Sequence, residues 1–531
     1  MITFLNKSLR IRITTSSLIL ALVYSFISAV FINIPLYEYA TSNVDINSFD
    51  GLTTIFSIFL VVFTITFSIF ALILAVSARL GKFLIILITL CNAIALYFML
   101  SYQVILDKDM MGNFFNTNTQ ESMSYLSLSL FIYVLFLGVF PCLFLFKLTL
   151  KKTKKLKLFA ISITLLVTTL LWLLYFSSSW LWFDQHGKQL GGKVLPWSYI
   201  VNASRYQSMQ RAKNTKQTLL PQGAFNNSEK QLVVLVIGET ARAHNFIQYG
   251  YDRDTTPYLI KEGAIPLINT TACATYTTAS LRCILSHLDT SSEFATNYEP
   301  LPSYLKRHGV DVVWRTNNWG EPKVDVNSYE RSSTLKASCI GLNCDFDGVL
   351  LTGLKERITQ SNANKIFVVL HLKGSHGPEY FDQYPKQFER FKPVCESVEL
   401  KNCTEQELIN AYDNSILYTD FLLSQAIDLI KQTDIPSTML YISDHGESLG
   451  ENGLYLHGTP YAIAPKFQTE IPFFVWMSKS FLKQKNIINF SQHQNNQHSQ
   501  LNVFHSVIGA FGFESPVYQE TLDIFAEFKE G

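Results

Sequence analysis

The pattern of apolar and polar positions divides the chain sharply. Its first third holds five long apolar runs, at about 15–36, 51–77, 83–102, 124–146 and 158–182, joined by short polar connections. Each approaches the ~20 residues that a helix needs to cross the hydrocarbon core of a bilayer. Five such runs in succession cannot be hidden inside a soluble core, so the pattern predicts five membrane-spanning helices. The first, TSSLILALVYSFISAVFINIPL, is too long for a signal peptide and lacks a small-residue cleavage site, which makes it an anchor. A polar stretch follows, with scattered aromatics (Trp197, Tyr199, Tyr206) and bases (Lys188, Lys193, Arg205, Arg211). It reads as a linker of short helices lying on the membrane surface.

From about Gln231 the period changes. LVVLVIGE (232–239), VDVVWRTNN (310–318), KIFVVLHLKG (365–374) and TMLYISDHGE (438–447) are short, β-rich and apolar throughout, as in strands buried on both faces. Helical patterns separate them, the longest being NAYDNSILYTDFLLSQAIDLIKQ (410–432). Strands alternating with helices predict a mainly parallel central sheet covered by helices, an α/β domain. The expected organisation is a membrane domain over 1–182, interfacial linker helices over 183–230 and a second domain over 231–531.

Composition sharpens this division. Charged residues make up only 16% of the 531 and net charge is +1. Average proteins carry about 25% charge, so a disordered chain and a nucleic-acid-coating protein are both excluded. The N-terminus carries Lys7, Arg10 and Arg12, the second connection Arg79 and Lys82, and the fourth a run from Lys147 to Lys157. The first connection has no Lys or Arg and the third only Lys108. This alternation places the N-terminus in the cytoplasm, and five spans then place everything after about Trp182 outside. Of eight cysteines, Cys91 and Cys142 fall in expected spans; the other six form close pairs on the external side, Cys273 and Cys283, Cys339 and Cys344, Cys395 and Cys403. None of these pairs has CxxC spacing, so three local disulfides in an oxidising space such as the bacterial periplasm are expected.

In a parallel sheet, ligands sit beyond the carboxyl ends of the strands. Those ends carry Gly238-Glu239-Thr240, Asn317-Asn318, Lys373-Gly374-Ser375-His376 and Ser443-Asp444-His445-Gly446. Glu239, Asp444 and His445 make a hard-oxygen and imidazole set suited to Zn²⁺ or another divalent ion. The segment TTACATYTTASLRC (270–283) offers hydroxyls beside a helical start, where a dication would lower a hydroxyl pKa and make it a nucleophile. Thr271, Thr275, Thr277, Thr278 and Ser280 all remain candidates on this reading. His376 and His457, each in a Gly-containing loop, are candidates for a second metal, a phosphate oxygen or a leaving-group proton. In the third connection Asn113, Thr117 and Glu121 recur every four residues, so on a helix they share one polar face.

These residues resemble the phosphoethanolamine transferases of Gram-negative inner membranes, members of the alkaline phosphatase/sulfatase superfamily that modify lipid A and related glycolipids. The resemblance spans essentially the whole chain. It rests on VIGETARAHNFIQYGYDRDTTP (236–257), the Thr-rich segment closed by Cys273 and Cys283, KGSHGP (373–378), YISDHGESLGENGLYLHG (441–458) and the three cysteine pairs. It implies an alkaline phosphatase/sulfatase-like fold for the second domain, Thr277 as nucleophile, and Glu239, Thr277, Asp444 and His445 as ligands of one catalytic zinc. It also implies that His376 and His457 bind the phosphoethanolamine group or an extra zinc. Asn113, Thr117 and Glu121 match a membrane-side patch for the lipid donor, and Lys323 a substrate-binding lysine. Thr278 directly follows Thr277, so a shift of one residue would change the nucleophile.

The implied reaction takes phosphoethanolamine from phosphatidylethanolamine to lipid A through a covalent phospho-threonine. Core sugars and periplasmic glucans are alternative acceptors. The capped lipid would gain an ammonium and bind polymyxins less well. The expected protein is a monomer of the bacterial inner membrane with no nucleic-acid partner. A glycerophosphate transferase of the lipoteichoic acid synthase type is the nearest alternative, and the three disulfide candidates argue against it. A sulfatase would need a Cys or Ser in a C/S-x-P-x-R context, which 273–277 does not supply. An inactive membrane sensor would lack metal ligands, and Glu239, Asp444 and His445 are all present.

Overall fold

The computed structural model describes residues 13–117, 122–123, 125–176, 182–183, 186–213, 217–288, 297–398, 400–490 and 494–526. Its contacts group Met1–Met111 with Leu126–Tyr206 as one unit, and Gly112–Tyr125 with Gln207–Gly531 as a second.

Among the described residues of the first unit, four helices are long and apolar enough to span a membrane: α3 (Phe49–Val76), α4 (Ala78–Tyr102), α5 (Leu128–Lys147) and α6 (Lys155–Tyr175). A fifth crossing is counted when Ser17–Ile32, which begins as helix α1 (Ser17–Ile27), is joined to α2 (Ile34–Ser42) across a bend of 50°. The sequence led us to expect one continuous first span, and the bend has identifiable causes. Pro35 in the first turn of α2 lacks an N–H. Asn33 donates to the Ser28 and Leu195 carbonyls (2.7 and 2.9 Å) and accepts from Leu195 N (2.8 Å), which holds the break in place. Ser48 and Ser77 cap α3 and α4 by accepting from Gly51 N and Leu80 N. Thr64 pairs with Thr169, and Trp172 Nε1 donates to Ser57 Oγ, so α3 and α6 are joined by hydrogen bonds as well as by packing.

The second unit is built on a seven-stranded sheet. Its strands are β1 (Gln231–Gly238), β2 (Ile265–Pro266), β3 (Asp311–Thr316), β4 (Ser328–Arg331), β5 (Lys365–His371), β6 (Ser437–Ser443) and β7 (Phe473–Met477). The order is β2-β7-β6-β1-β5-β3-β4, and β7 alone runs opposite to the other six strands. The four strands expected from sequence are therefore the parallel centre. The short edges and β7 carry weaker patterns and were not anticipated.

Val233, Leu235 and Ile237 of β1 pack with Phe367, Val369, Leu440 and Ile442 against Val503, Phe504, Val507 and Ile508 of helix α8 (Leu501–Phe511). Each such buried side chain contributes about 1.5–3 kcal/mol. Tyr441 faces the other way and lies within electrostatic reach of Tyr412 on the long helix α7 (Glu405–Lys431). A capping box between Thr404 and Glu407 starts α7. The three disulfides join Cys273–Cys283, Cys339–Cys344 and Cys395–Cys403, as expected from their spacing.

His505, in the middle of α8, is fully buried and accepts from Gln519 N at 3.1 Å. Burial pulls its imidazole down to about 4. As pH falls through 6.5 toward 4, the unfolded chain takes up a proton that the folded chain refuses. Stability from this group is complete above about pH 6.5 and falls away below it, by at most about 3 kcal/mol. The thermal midpoint should drop between pH 6.5 and 4.5, and His505→Gln should flatten that drop.

Candidate active site

The parallel register brings the chemistry together. Gly238 ends β1 directly opposite Ser443 of β6, and Asp444 N donates to Gly238 O at 3.0 Å. Glu239 and Asp444 therefore leave neighbouring strands side by side at the carboxyl edge. A Cβ on Gly238 would lie 2.7 Å from the Tyr441 hydroxyl, so only glycine permits this approach. Thr240 has φ +60°, a costly conformation for a β-branched residue. Three contacts impose it: Tyr412 OH donates to its carbonyl (2.7 Å), its N–H donates to Asp444 Oδ1 (3.0 Å), and its hydroxyl donates to Glu239 Oε1 (2.7 Å).

Glu239, Asp444 and His445 are fully buried, and one ligand-type atom of each lies within 4.8 Å of the others. His445 Nε2 stands 3.3 Å from Glu239 Oε1 and 3.2 Å from Asp444 Oδ2. His445 Nδ1 lies 3.0 Å from Gly446 O, which selects the tautomer with Nε2 free to ligate. Asp444 Oδ1 accepts from the backbone N–H groups of Thr240 and His445, whereas its buried Oδ2 has no hydrogen-bond donor. Burial opposes the charge on Glu239, but the hydrogen bond and charge of His445 outweigh it and hold that carboxyl well below the usual range. Burial and the charge of Glu239 push Asp444 well up. Burial disfavours the imidazolium of His445, yet Asp444 and Glu239 raise it to about 10. An orphaned carboxylate oxygen beside a second carboxylate and an oriented imidazole is a donor set that fits a zinc-type dication.

Thr277 is the first residue of a helix, Thr277–Ile284. Its Oγ1 lies 3.3 Å from both carboxylate oxygens of Glu239 and 3.4 Å from His445 Nε2. None of the other candidate hydroxyls contacts both Glu239 and His445. Thr275 donates to Thr459 O and Ser280 to Ala274 O, Thr271 pairs with Ser499 in a short ladder, and the Thr278 methyl packs beside Gly320. The Cys273–Cys283 disulfide closes this segment. Gln500 ties it to β6, accepting from Cys273 N (2.9 Å) and donating to the Ser443 and Asp444 carbonyls (3.0 and 2.5 Å).

His376 and His457 are beside the acidic cluster. The His457 ring centroid is 4.3 Å from that of His445 and 5.6 Å from that of His376. Asn113 and Thr117 lie at the end of the helix Lys108–Asn116, where the Thr117 hydroxyl donates to Asn113 O. Glu121 lies outside the described residues. Lys323 is exposed, three residues beyond Gly320, where a Cβ would come within 3.4 Å of the Thr277 methyl.

Several further residues, assigned no role from sequence, support the site. Glu447 is fully buried, with Oε1 3.3 Å from His457 Nδ1 and Oε2 accepting from Tyr380 OH at 3.0 Å, and burial pushes its carboxyl up to about 8. Its place two residues past His445 at a strand end was an available signal. Asn318 donates to Glu239 Oε2 (2.7 Å). Asp347 accepts from the backbone N–H groups of Lys373 and Gly374, which fixes the loop carrying His376. A Cβ on Gly374, at φ +54°, would meet Glu239 O at 2.7 Å.

Comparison with known proteins agrees with this arrangement. The Sulfatase family model matches residues 231–513, and a model described as Phosphoethanolamine transferase EptA/EptB matches residues 59–211. The chain is 40% identical over 521 residues to the phosphoethanolamine transferase EptA of Helicobacter pylori, covering 96% of each. It is 34% identical over 454 residues to the phosphatidylethanolamine transferase Mcr-1 of Escherichia coli, covering 79% of this chain and 83% of that one. The solved integral membrane lipooligosaccharide phosphoethanolamine transferase A of Neisseria meningitidis matches with a TM-score of 0.90 at 28% identity, over 98% of this chain and 100% of that one. The chain therefore belongs to the phosphoethanolamine transferase family, whose second domain has the sulfatase fold.

Proposed function

We propose that this chain transfers phosphoethanolamine from phosphatidylethanolamine to lipid A or a related glycolipid, with Thr277 as the nucleophile. The observation that carries the reading is the placement of Thr277 Oγ1 at a helix start, 3.3 Å from both oxygens of buried Glu239 and beside His445. The donor class is that named for the Mcr-1 relative, and the acceptor class follows from the family resemblance.

Glu239, Asp444, His445 and Thr277 would hold one zinc, which supplies positive charge that lowers the threonine pKa and offsets charge on the transferring phosphoryl group. Thr277 Oγ attacks phosphorus, an Oγ–P bond forms, and the P–O bond to diacylglycerol breaks. The threonine proton ends on the departing diacylglycerol. The backbone N–H groups at the start of the Thr277 helix face the phosphoryl oxygens. An acceptor oxygen then attacks the phospho-threonine, the Oγ–P bond breaks, and the acceptor's proton returns to Thr277. His376 and His457 hold the phosphoethanolamine group or a second zinc, and Glu447 orients His457 through Nδ1. Asn113, Thr117, Glu121 and Lys323 receive the lipid donor.

This reading places a monomer in the bacterial inner membrane, with the N-terminus cytoplasmic and the catalytic domain periplasmic. Residues 1–182, 183–230 and 231–531 serve as membrane domain, interfacial linker and catalytic domain. The alternating basic connections and the three disulfides support it. The test is a mass spectrum of lipid A from cells that express the chain and from cells that do not. A gain of one phosphoethanolamine is expected, with lower polymyxin susceptibility because the cap adds an ammonium. No gain on lipid A, core sugars or periplasmic glucans would overturn the reading.

A further inference from the structure

Lys193 ends the short helix Gly187–Lys193, outside the spanning helices of the first unit. Only 9% of it is exposed. Among the described residues its ammonium has no hydrogen-bond or ion-pair partner, and it stands 5.7 Å from the centroid of the Tyr39 ring. Other sequestered lysines of this chain behave differently. Lys365 donates to Asn227 and Gln231, and Lys82 to the Phe146 and Leu148 carbonyls. A lysine that only complemented a helix C-terminus would extend into water. An ammonium withdrawn from water without an acceptor is costly, and proteins of membranes keep such groups where a ligand supplies the counter-charge.

A second orphan lies one turn earlier. Gln189 and Lys193 are four residues apart and share a helix face. Gln189 Oε1 is buried and makes no hydrogen bond. Beside them is a cluster of rings: His186 stacks on Trp182 (4.3 Å, 20°), and Tyr39 lies 5.9 Å from His186 and 6.5 Å from Trp182. Trp and Tyr of this kind favour the headgroup level of a bilayer. Glu38 is exposed, and its charge acts on Lys193 without forming an ion pair.

We propose that Lys193 and Gln189 form a binding site for the phosphodiester of a glycerophospholipid, seated against the Tyr39, Trp182 and His186 rings. The single negative charge of a phosphodiester neutralises the lone ammonium. The orphaned Gln189 oxygen requires a donor, so the headgroup must carry N–H or O–H hydrogens. Ethanolamine and glycerol headgroups satisfy this condition, and choline does not. The site lies wholly within the first unit and does not depend on the transferase reading.

The test is native mass spectrometry of the full, delipidated chain titrated with phosphatidylethanolamine, phosphatidylglycerol or phosphatidylcholine. Phosphatidylethanolamine, phosphatidylglycerol or both should bind at least about five-fold tighter than phosphatidylcholine. Lys193→Met should weaken that binding about ten-fold or more, and Lys193→Arg should retain it within about three-fold. Glu38→Gln separates the two sources: a loss confined to phosphatidylethanolamine identifies the zwitterionic lipid, and no loss identifies the shared phosphodiester. Gln189→Leu should erase the preference over phosphatidylcholine, and it decides the matter should Lys193→Met fail to fold. Phosphatidylcholine binding the native chain as well as the other two, undiminished binding in Lys193→Met, or an unchanged preference in Gln189→Leu, would overturn the proposal.

Discussion

Thr277→Ala is expected to lower phosphoethanolamine transfer at least about 10³-fold, whereas Thr277→Ser should keep it within about 100-fold of the native chain. The difference follows from what each variant removes. Alanine deletes the only hydroxyl among the described residues that contacts both Glu239 oxygens and His445 Nε2. Serine keeps that oxygen and loses only a methyl, which sits against Gly320. Its extra rotamer freedom makes the attack geometry less well populated. Thr278→Ala should stay within about ten-fold, because the structure gives the Thr278 side chain a packing role against Gly320. The measurement is the rate at which the purified chain releases diacylglycerol from labelled phosphatidylethanolamine in mixed micelles. A Thr277→Ala variant that turned over like the native chain would move the nucleophile elsewhere and leave the family assignment standing.

The legibility of this site in the sequence has a physical basis. Strands β1, β3, β5 and β6 are buried on both faces, so they appear as unbroken apolar runs, and their polar ends stand out against them. A parallel sheet then requires Glu239, Asn318, His376, Asp444 and His445 to gather on one edge, whatever the loops do. The loops hide the rest. The five candidate hydroxyls, Thr271, Thr275, Thr277, Thr278 and Ser280, are equivalent by composition, and only the Gln500 brace and the Cys273–Cys283 closure decide which one faces Glu239. Gln500 lies in a region with no motif, so nothing in its local pattern marks it. The bend at Asn33 was obscured similarly: hydropathy counts apolar length, while the break depends on Asn33 reaching Leu195, 162 residues away. Strand β7 was missed because Phe473–Met477 is short and enters antiparallel, outside the strand–helix alternation that revealed the others.

Zinc should stabilise the native chain, and Asp444→Asn should abolish that response without unfolding the protein. Three ionisable groups are buried together, and Asp444 Oδ2 has no donor. Burial and the neighbouring Glu239 carboxylate push Asp444 well up. Folding the metal-free chain therefore carries a cost that a bound dication would relieve. At a hundred-fold excess over its dissociation constant, a ligand of the native state adds about 2.7 kcal/mol. For a domain of this size that corresponds to an upward shift of at least about 4 °C in the thermal midpoint. In Asp444→Asn, Oδ1 still accepts from Thr240 N and His445 N, so the strand end keeps its shape. The amide carries no charge to repel Glu239 and offers its N–H groups toward it. The metal-free variant should consequently melt at or above the metal-free native chain, yet gain nothing from zinc. Scanning calorimetry of both chains, with chelator and with added zinc, reads this without any assay of activity. An equal zinc response in the two would remove Asp444 from the ligand set, and a metal-free variant that melts several degrees lower would show that the carboxylate is held by contacts other than the repulsive pair.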